Sequence, residues 1–296
     1  NIGRDKQGLF IEYEQVVEIK RLYYPLFGGE IQKDQYGLYT DLNIKNIIYR
    51  FRYIEPGTFL MGSLEDEPER EYWGKETQHQ VTLTEGFWLA DTTVTQSLYQ
   101  AVMEENPSSF KDDLNNPVER VSWGDAQQFI KKLNKMIPAL QAGLPSEAQW
   151  EYACRAGTKS PFSLGDNTTP EQVNYNGDYP YASAKKGLNR EKTVAVKSLP
   201  VNPWGLYEMH GNVWEWCADG YQNDLGNQPV TDPLDEGVSA LRVMRGGSWI
   251  VNGRNVRSAM RRKYRAGNRD NRIGFRISLG ANAPKSARCR AANNFS

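Results

Sequence analysis

The sequence predicts an α+β fold, irregular and loop-rich, with few helices and short antiparallel strands. Two observations carry that prediction. The clear helical periodicities all fall between residues 93 and 157, with strand-like runs before them and a long stretch of turns and short strands, 158–240, after them. That arrangement lacks the strand–helix alternation of a doubly wound parallel sheet. Composition agrees: 26 Gly, 8 Trp, 16 Tyr and 10 Phe in 296 residues suit a compact chain better than a helical repeat or a disordered one. The length allows one large domain or two small ones.

Taken in order, residues 1–45 mix helical and strand signals in "GLFIEYEQVVEIKRLYYPLF" and are turn-rich in "FGGEIQKDQYGLYTDLN". They read as an N-terminal extension packed on a main domain of 46–280, with 281–296 as a C-terminal tail. "IIYRFRYIEPGTFLMGS" holds strand-like runs broken by a turn at Pro56-Gly57. "EDEPEREYWGKET" is a charged loop, and "HQVTLTEGFWLAD" alternates as a strand does. The first helix is "TVTQSLYQAVMEE", with Thr93 or Thr95 as its N-cap. The second starts at Ser122 in "SWGDAQQFIKKLNKMI" and places Ala126, Phe129, Ile130 and Leu133 on one face. The third, "PSEAQWEYACRAG", has Pro145, Ser146 and Glu147 in a first-turn pattern and a stop at Gly157.

Charge is neutral over the whole chain and uneven along it. Residues 242–276 carry ten Arg and one Lys against a single Asp, a local net charge of +10 that the remainder must balance. A basic face on a neutral protein follows. A nucleic-acid partner is not expected, because the chain as a whole is neutral and contains no recognised binding module. The three cysteines, Cys154, Cys217 and Cys289, form neither a disulfide framework nor a CxxC pair. Two histidines, His79 and His210, are too few for a His-built iron or copper site. No apolar run approaches the roughly 18 residues of a membrane-spanning helix.

The phrases "GTFLMGS", "FWLADTTVTQSLYQAVM", "NPSSF", "NPVERVSWGDAQQF", "LPSEAQWEYACRAGT", "NPWGLYEMHGNVWEWCADGY", "MRGGSW" and "RSAMR…IGFRI" follow one another across residues 50–279. Together they resemble the formylglycine-generating-enzyme (sulfatase-modifying-factor) family. The resemblance implies the C-type lectin-like version of an α+β fold. In catalytic members two cysteines after Gly-Gly-Ser bind copper and oxidise a substrate cysteine. Aligned without gaps from Gly246-Gly247-Ser248, those positions hold Val251 and Val256. Valine has no thiolate, so it neither ligates a soft metal nor attacks a substrate. Cys154 and Cys217 lie in framework motifs and are expected as buried structural residues. The position that bridges Cys154 in some relatives holds Ile277. A second enzymatic branch builds a non-haem iron site from several histidines in an extra domain, which this chain lacks. The resemblance therefore implies a non-catalytic member; the alternative is a formylglycine-type oxidoreductase or other metal-dependent enzyme with a degenerate site.

A third branch of the family comprises the variable proteins of diversity-generating retroelements. Their C-terminal segment keeps a frame while intervening positions are diversified by adenine-directed mutagenesis. Residues 246–276 are similar in register. The frame is Gly246, Gly247, Ser248, Trp249, Arg257, Ser258, Ala259, Arg261, Arg269, Ile273, Gly274, Phe275 and Arg276. The free positions are Ile250, Val251, Asn252, Arg254, Asn255, Met260, Arg262, Lys263, Tyr264, Arg265, Asn268, Asp270, Asn271 and Arg272. Asn, Asp, Arg, Ile, Val and Tyr are reachable from an AAC or AAT codon by changing adenines alone. Met260 and Lys263 are not, and the usual Pro of the pattern is Ala266.

The free positions are expected to converge on one exposed face as a ligand-binding surface, with Trp249, Ala259, Ile273 and Phe275 buried beneath. Frame arginines are expected to pair internally with carboxylates such as Glu147, Glu151 or Glu215. The resemblance further implies a macromolecular ligand, a protein above all, and display at a bacterial cell surface, with a lipid-anchored leader outside this chain. No cofactor is required. A structural calcium held by Glu208, Glu215 and the carbonyls of Gly211 and Val213 is the one metal the resemblance implies, an all-oxygen set suited to a hard cation.

Overall fold

The computed structural model describes residues 2–5, 8–15, 18–23, 29–70, 76–237 and 239–280, and before residue 29 the side chains of Phe10, Ile11 and Glu12 alone. In chain order its strands are β1 (Ile2–Asp5), β2 (Gly8–Gln15), β3 (Glu18–Tyr23), β4 (Ile31–Asp34), β5 (Gly37–Ile44), β6 (Ile47–Ile54), β7 (Gly57–Met61), β8 (His79–Leu83), β9 (Phe87–Ala90), β10 (Ala142–Gly143), β11 (Trp214–Gly220), β12 (Val230–Thr231), β13 (Leu241–Arg245), β14 (Arg261–Arg265), β15 (Ile273–Gly274) and β16 (Ser278–Leu279). The helices are α1 (Gln96–Met103), α2 (Trp123–Met136) and α3 (Glu147–Arg155).

Strands β1–β3 form an antiparallel meander of their own. A six-stranded sheet runs β10-β16-β9-β6-β5-β4, and two further sheets run β14-β13-β11-β15 and β12-β8-β7. The six-stranded sheet also takes in part of the expected N-terminal extension. Strand β5 pairs with β6 from Tyr39↔Arg52 to Ile44↔Ile47, so the fold is continuous upstream of residue 46 to Ile31. The alternating burial of β5 and β6 accounts for this: Thr40, Leu42, Ile44, Tyr49 and Phe51 all face the interior. The run 79–91, expected as a single strand, is two strands separated by the turn at 84–86. The tail 281–296, with Cys289, lies outside the described residues.

Local chemistry sets the three helices as the sequence suggests. Thr95 caps α1 by accepting from the Leu98 N–H. Ser122 and Asp125 form a reciprocal capping box on α2, and Ser146 and Gln149 do the same on α3. Helix α2 buries Ala126, Phe129, Ile130 and Leu133, the predicted face. It packs Phe129 edge-on against Phe275 at 5.4 Å between ring centres. Helix α3 is buried along its whole length and ends with Ala156 and Gly157 in the left-handed region. The polar side chains of α3 are thus enclosed, and every one must find a partner. Among the described residues no helix is long and apolar enough to cross a membrane.

Candidate functional site

The C-terminal segment separates into two populations. Frame residues are enclosed: Trp249, Ala259, Ile273 and Phe275 are all buried, as expected. Trp249 donates its indole N–H to the Asn271 carbonyl at 3.1 Å. Gly247 has a left-handed φ of 80°, and a Cβ there would sit 2.5 Å from Val256 Cγ1, so no other residue fits.

The frame arginines neutralise buried carboxylates. Arg276 donates from Nε and Nη2 to Glu215 at 2.6 and 2.8 Å. Arg261 forks onto Glu147 at 2.6 and 2.7 Å. Arg257 holds Glu76 at 2.8 Å through both arms and reaches Glu67 at 2.5 Å. Arg269, more exposed, pairs with Asp125. Arg245, just upstream, is fully buried between Glu147 and Glu151. Three of these partners, Glu147, Glu151 and Glu215, are ones the sequence suggested, Glu151 through Arg245 and not through a frame arginine. Glu76, Glu67 and Asp125 are not, since they sit 181, 190 and 144 residues from their arginines with no motif to announce them.

The free positions behave differently. Strand β14 is an edge strand paired only with β13, from Arg245↔Arg261 to Leu241↔Arg265. Its side chains alternate. Arg262 and Tyr264 turn one way and line a cavity of about 250 Å³. Its other walls are Val251, Asn252, Asn255 and Arg272, and Trp214, Met244 and Ile273 supply an apolar base. Arg261 and Lys263 turn the other way, both lying over the Tyr221 ring at 4.9 Å. Lys263 also donates to Asn223 Oδ1. By the same alternation Arg265 shares that side.

One face therefore does not gather every free position. Met260 is the clearest correction: its side chain is fully buried in the main core, where an unbranched thioether fills space between sheet and helices. Lys263 is off the cavity side. Ile250 is 42% exposed and Arg254 is exposed on the short 3-10 turn Gly253–Val256, both outside the cavity lining. Asp270 holds Arg272 through two hydrogen bonds, 2.6 and 2.5 Å, fixing that wall. Asn268 and Asn271 are half-buried.

Sequence reasoning missed a neighbour of the site. Asn176 donates its backbone N–H to the Val251 carbonyl, and Gly253 donates to the Tyr179 carbonyl. The loop around 176–181 thus braces the free segment from behind. A Cβ on Gly253 would meet the Tyr181 N at 2.4 Å, which is the sequence signal that could have shown it.

The two positions that align with the catalytic cysteines of relatives sit in different surroundings. Val251 stands half-buried in the cavity wall, and Val256 is wholly buried with Phe162, Val173, Tyr175 and Tyr181. Cys154 and Cys217 are free and buried. Burial pushes the Cys154 thiol up to about 12, so it stays protonated and unreactive. Its neighbour His210 accepts from the Ser163 N–H at Nε2 and lies 2.7 Å from the Val256 carbonyl at Nδ1, and burial lowers it to about 4. Neutral His210 is a structural bridge between three loops.

The four residues implied for calcium fit a cation only in part. Glu208 Oε1 is buried with no hydrogen-bond partner, as a ligand oxygen would be, and burial raises its carboxyl to about 7. Both Glu215 oxygens are already taken by Arg276, and the Trp150 indole adds to one of them. Among the described residues no group of three or more His, Cys, Asp or Glu side chains is gathered for a metal.

Comparison with known proteins agrees with this geometry. The family model described as "Sulfatase-modifying factor enzyme 1-like domain" matches residues 47–280. The chain belongs to that family. It is 34% identical over 176 residues to the formylglycine-generating enzyme of Streptomyces coelicolor, covering 56% of this chain and 54% of that one. It is 32% identical over 186 residues to the inactive C-alpha-formylglycine-generating enzyme 2 of Bos taurus, covering 60% and 54%. The chain thus spans about half the length of these curated relatives. Among solved structures, Treponema denticola variable protein 1 superposes with a TM-score of 0.69 at 24% identity, covering 81% of this chain and 98% of that one. The fold is therefore the α+β, C-type lectin-like fold of this family, and the family includes a member named as inactive.

Proposed function

We propose that this family member is a non-catalytic ligand-binding protein, receptor- or adhesin-like, whose segment 246–276 is diversified by a retroelement to present a variable surface. One observation carries the reading. Of the fourteen free positions, the six that line the cavity are Val251, Asn252, Asn255, Arg262, Tyr264 and Arg272, and every one is reachable from AAC or AAT by adenine changes. The two residues outside that set, Met260 and Lys263, are the one locked in the core and one turned to the far side of β14. The two free positions that adenine changes cannot reach are thus both off the cavity, although the reachable Ile250, Arg254, Arg265, Asn268, Asp270 and Asn271 do not line it either.

A rigid scaffold whose folding does not depend on the identity of its cavity-lining side chains is what a paratope requires. The buried arginine–carboxylate pairs supply that rigidity without using any free position. The ligand is a macromolecule, and display at a bacterial cell surface through a lipid-anchored leader completes the proposal by analogy with the variable-protein branch. The deciding experiment is to sequence the gene and its flanks. A near-identical, adenine-rich copy of the codons for 250–272, differing at cavity positions and matching at frame positions, is the expected result. Flanks with no such copy and no reverse transcriptase would remove the diversification reading. A metal assay would still have to find no copper for the binding reading to stand.

A further inference from the structure

Among the described residues, three polar side chains converge on the cavity without a partner of their own. Asn252 stands at the N-cap position of the 3-10 turn Gly253–Val256, yet its side chain caps nothing. No hydrogen bond within the described residues engages the side-chain amide of Asn255 or the guanidinium of Arg262, which is exposed. Arg272, in contrast, is neutralised by Asp270. The cavity therefore presents one uncompensated positive charge and two free amides above the apolar base of Trp214, Met244 and Ile273.

We infer that the site takes a protein partner that inserts one apolar or aromatic side chain onto this base while an adjacent carboxylate pairs with Arg262. The inference rests on the binding-surface reading above and names its ligand class. Size selects a side chain: about 250 Å³ falls below the roughly 300–1,000 Å³ that encloses a drug-sized ligand. Charge selects its neighbour. Of the two arginines that line the cavity, Arg272 is paired with Asp270, and Arg262 has no carboxylate partner among the described residues. A planar guanidinium with no internal partner is a ready bidentate site for a carboxylate. Asn252 and Asn255 supply the adaptable donors and acceptors that hold a peptide backbone beside an anchored side chain. The arrangement, an apolar anchor point with a polar rim, is that of an interface hot spot.

The test is selection of short random peptides displayed on phage against the immobilised protein, with counter-selection on the Arg262→Glu variant. Arg262 is exposed, so the variant is expected to melt with the wild type, which thermal unfolding checks. Enriched peptides should place Asp or Glu beside Phe, Leu or Trp. As synthetic peptides they should lose at least about tenfold in affinity, 1.4 kcal/mol, on R262E and weaken with salt. Lys131→Glu, an equal charge change on the exposed face of α2, should leave them unaffected. Neutral or basic peptides that still depend on Arg262 would overturn the partner chemistry and keep the binding surface. Peptides indifferent to Arg262, Asn252 and Asn255 would overturn the binding surface itself. Failure to enrich any peptide, or displacement of the enriched ones by a single-stranded DNA oligonucleotide, would overturn the protein-partner inference.

Discussion

The guanidinium of Arg257 and the carboxylate of Glu76, 181 residues apart in the chain, meet at 2.8 Å on both arms with neither side chain exposed. Arg257 sits in the middle of the free segment, so this pair fastens the segment to the loop after β7. Burial pushes the Glu76 carboxyl up, but the hydrogen bonds and charge of Arg257 outweigh it and leave it below the ordinary value of 4.5. A depressed carboxyl contributes stability that is present above its unfolded value and lost as pH falls through the folded one.

Breaking this pair is expected to be far costlier than its net worth. Glu76→Gln leaves a buried guanidinium short of charge, and Arg257→Met leaves two carboxylates uncompensated; each should cost about 3–5 kcal/mol. Urea unfolding measures it. The double replacement Glu76→Gln with Arg257→Met should cost less than the sum of the two, because neither partner is then stranded. Strict additivity would mean that the two groups do not pair in solution.

Frame and free positions should separate in stability as they do in burial. Trp249→Ala and Phe275→Ala are expected to cost roughly 3–5 kcal/mol, as buried aromatics do. Arg262→Ala and Arg254→Ala, with exposed side chains, should stay within about 0.5 kcal/mol. Tyr264→Ala, half-buried against the main core, should fall between, at about 1 kcal/mol. Met260→Ala belongs with the frame and should cost about 2–5 kcal/mol. A Met260 variant as neutral as Arg262→Ala would return Met260 to the variable surface.

Why one part of this was legible in the sequence and another was not is a matter of range. Caps and helix faces are local: Ser122 with Asp125, or Ala126 with Phe129, Ile130 and Leu133, are fixed by neighbours a turn away, and the sequence shows them. The strand alternation of 261–265 is also local, but its sense is not. Which of Arg262 and Lys263 meets the cavity depends on pairing with β13 and on Trp214 and Met244 lying beneath. Strand β5 was hidden for a related reason, since its residues read as turn-rich until β6 is laid against them. The long-range ion pairs of Arg257 and Arg269 leave no trace in spacing at all.

Stability should also depend on pH through two buried carboxyls. Burial raises Glu208 from 4.5 to about 7 and Asp219 from 3.8 to about 7. A carboxyl raised in the fold contributes stability that is full below its unfolded value and lost as pH rises through the folded one. Between about pH 4 and 7 each should therefore cost the fold up to a few kcal/mol on ionising. His210, lowered from 6.5 to about 4, runs the other way across much of that window. Glu208→Gln should flatten the loss and be more stable than the wild type at pH 8, measured by urea unfolding at several pH values. Calcium added at pH 8 tests the metal reading in the same experiment: a cation that uses Glu208 should stabilise the wild type there, not at pH 5 and not in Glu208→Gln.

The final prediction concerns the missing thiols. The purified protein should bind no stoichiometric copper and form no aldehyde on a cysteine-containing sulfatase-type peptide, because Val251 and Val256 offer no ligand. Restoring both cysteines should not by itself create the activity. A residue at 251 borders the cavity, but 256 is enclosed by Phe162, Val173, Tyr175 and Tyr181 and is absent from the cavity lining. A thiol introduced there would be buried among apolar side chains, and burial of that kind raises a thiol, as it does Cys154 to about 12; a protonated thiol is a poor soft-metal ligand. The pair Val251→Cys with Val256→Cys should therefore show one readily alkylated thiol, at 251, and a second that reacts only on unfolding. Rapid modification of both, or tight copper in the double variant, would show that 256 opens to the cavity and that the scaffold retains the geometry of its catalytic relatives.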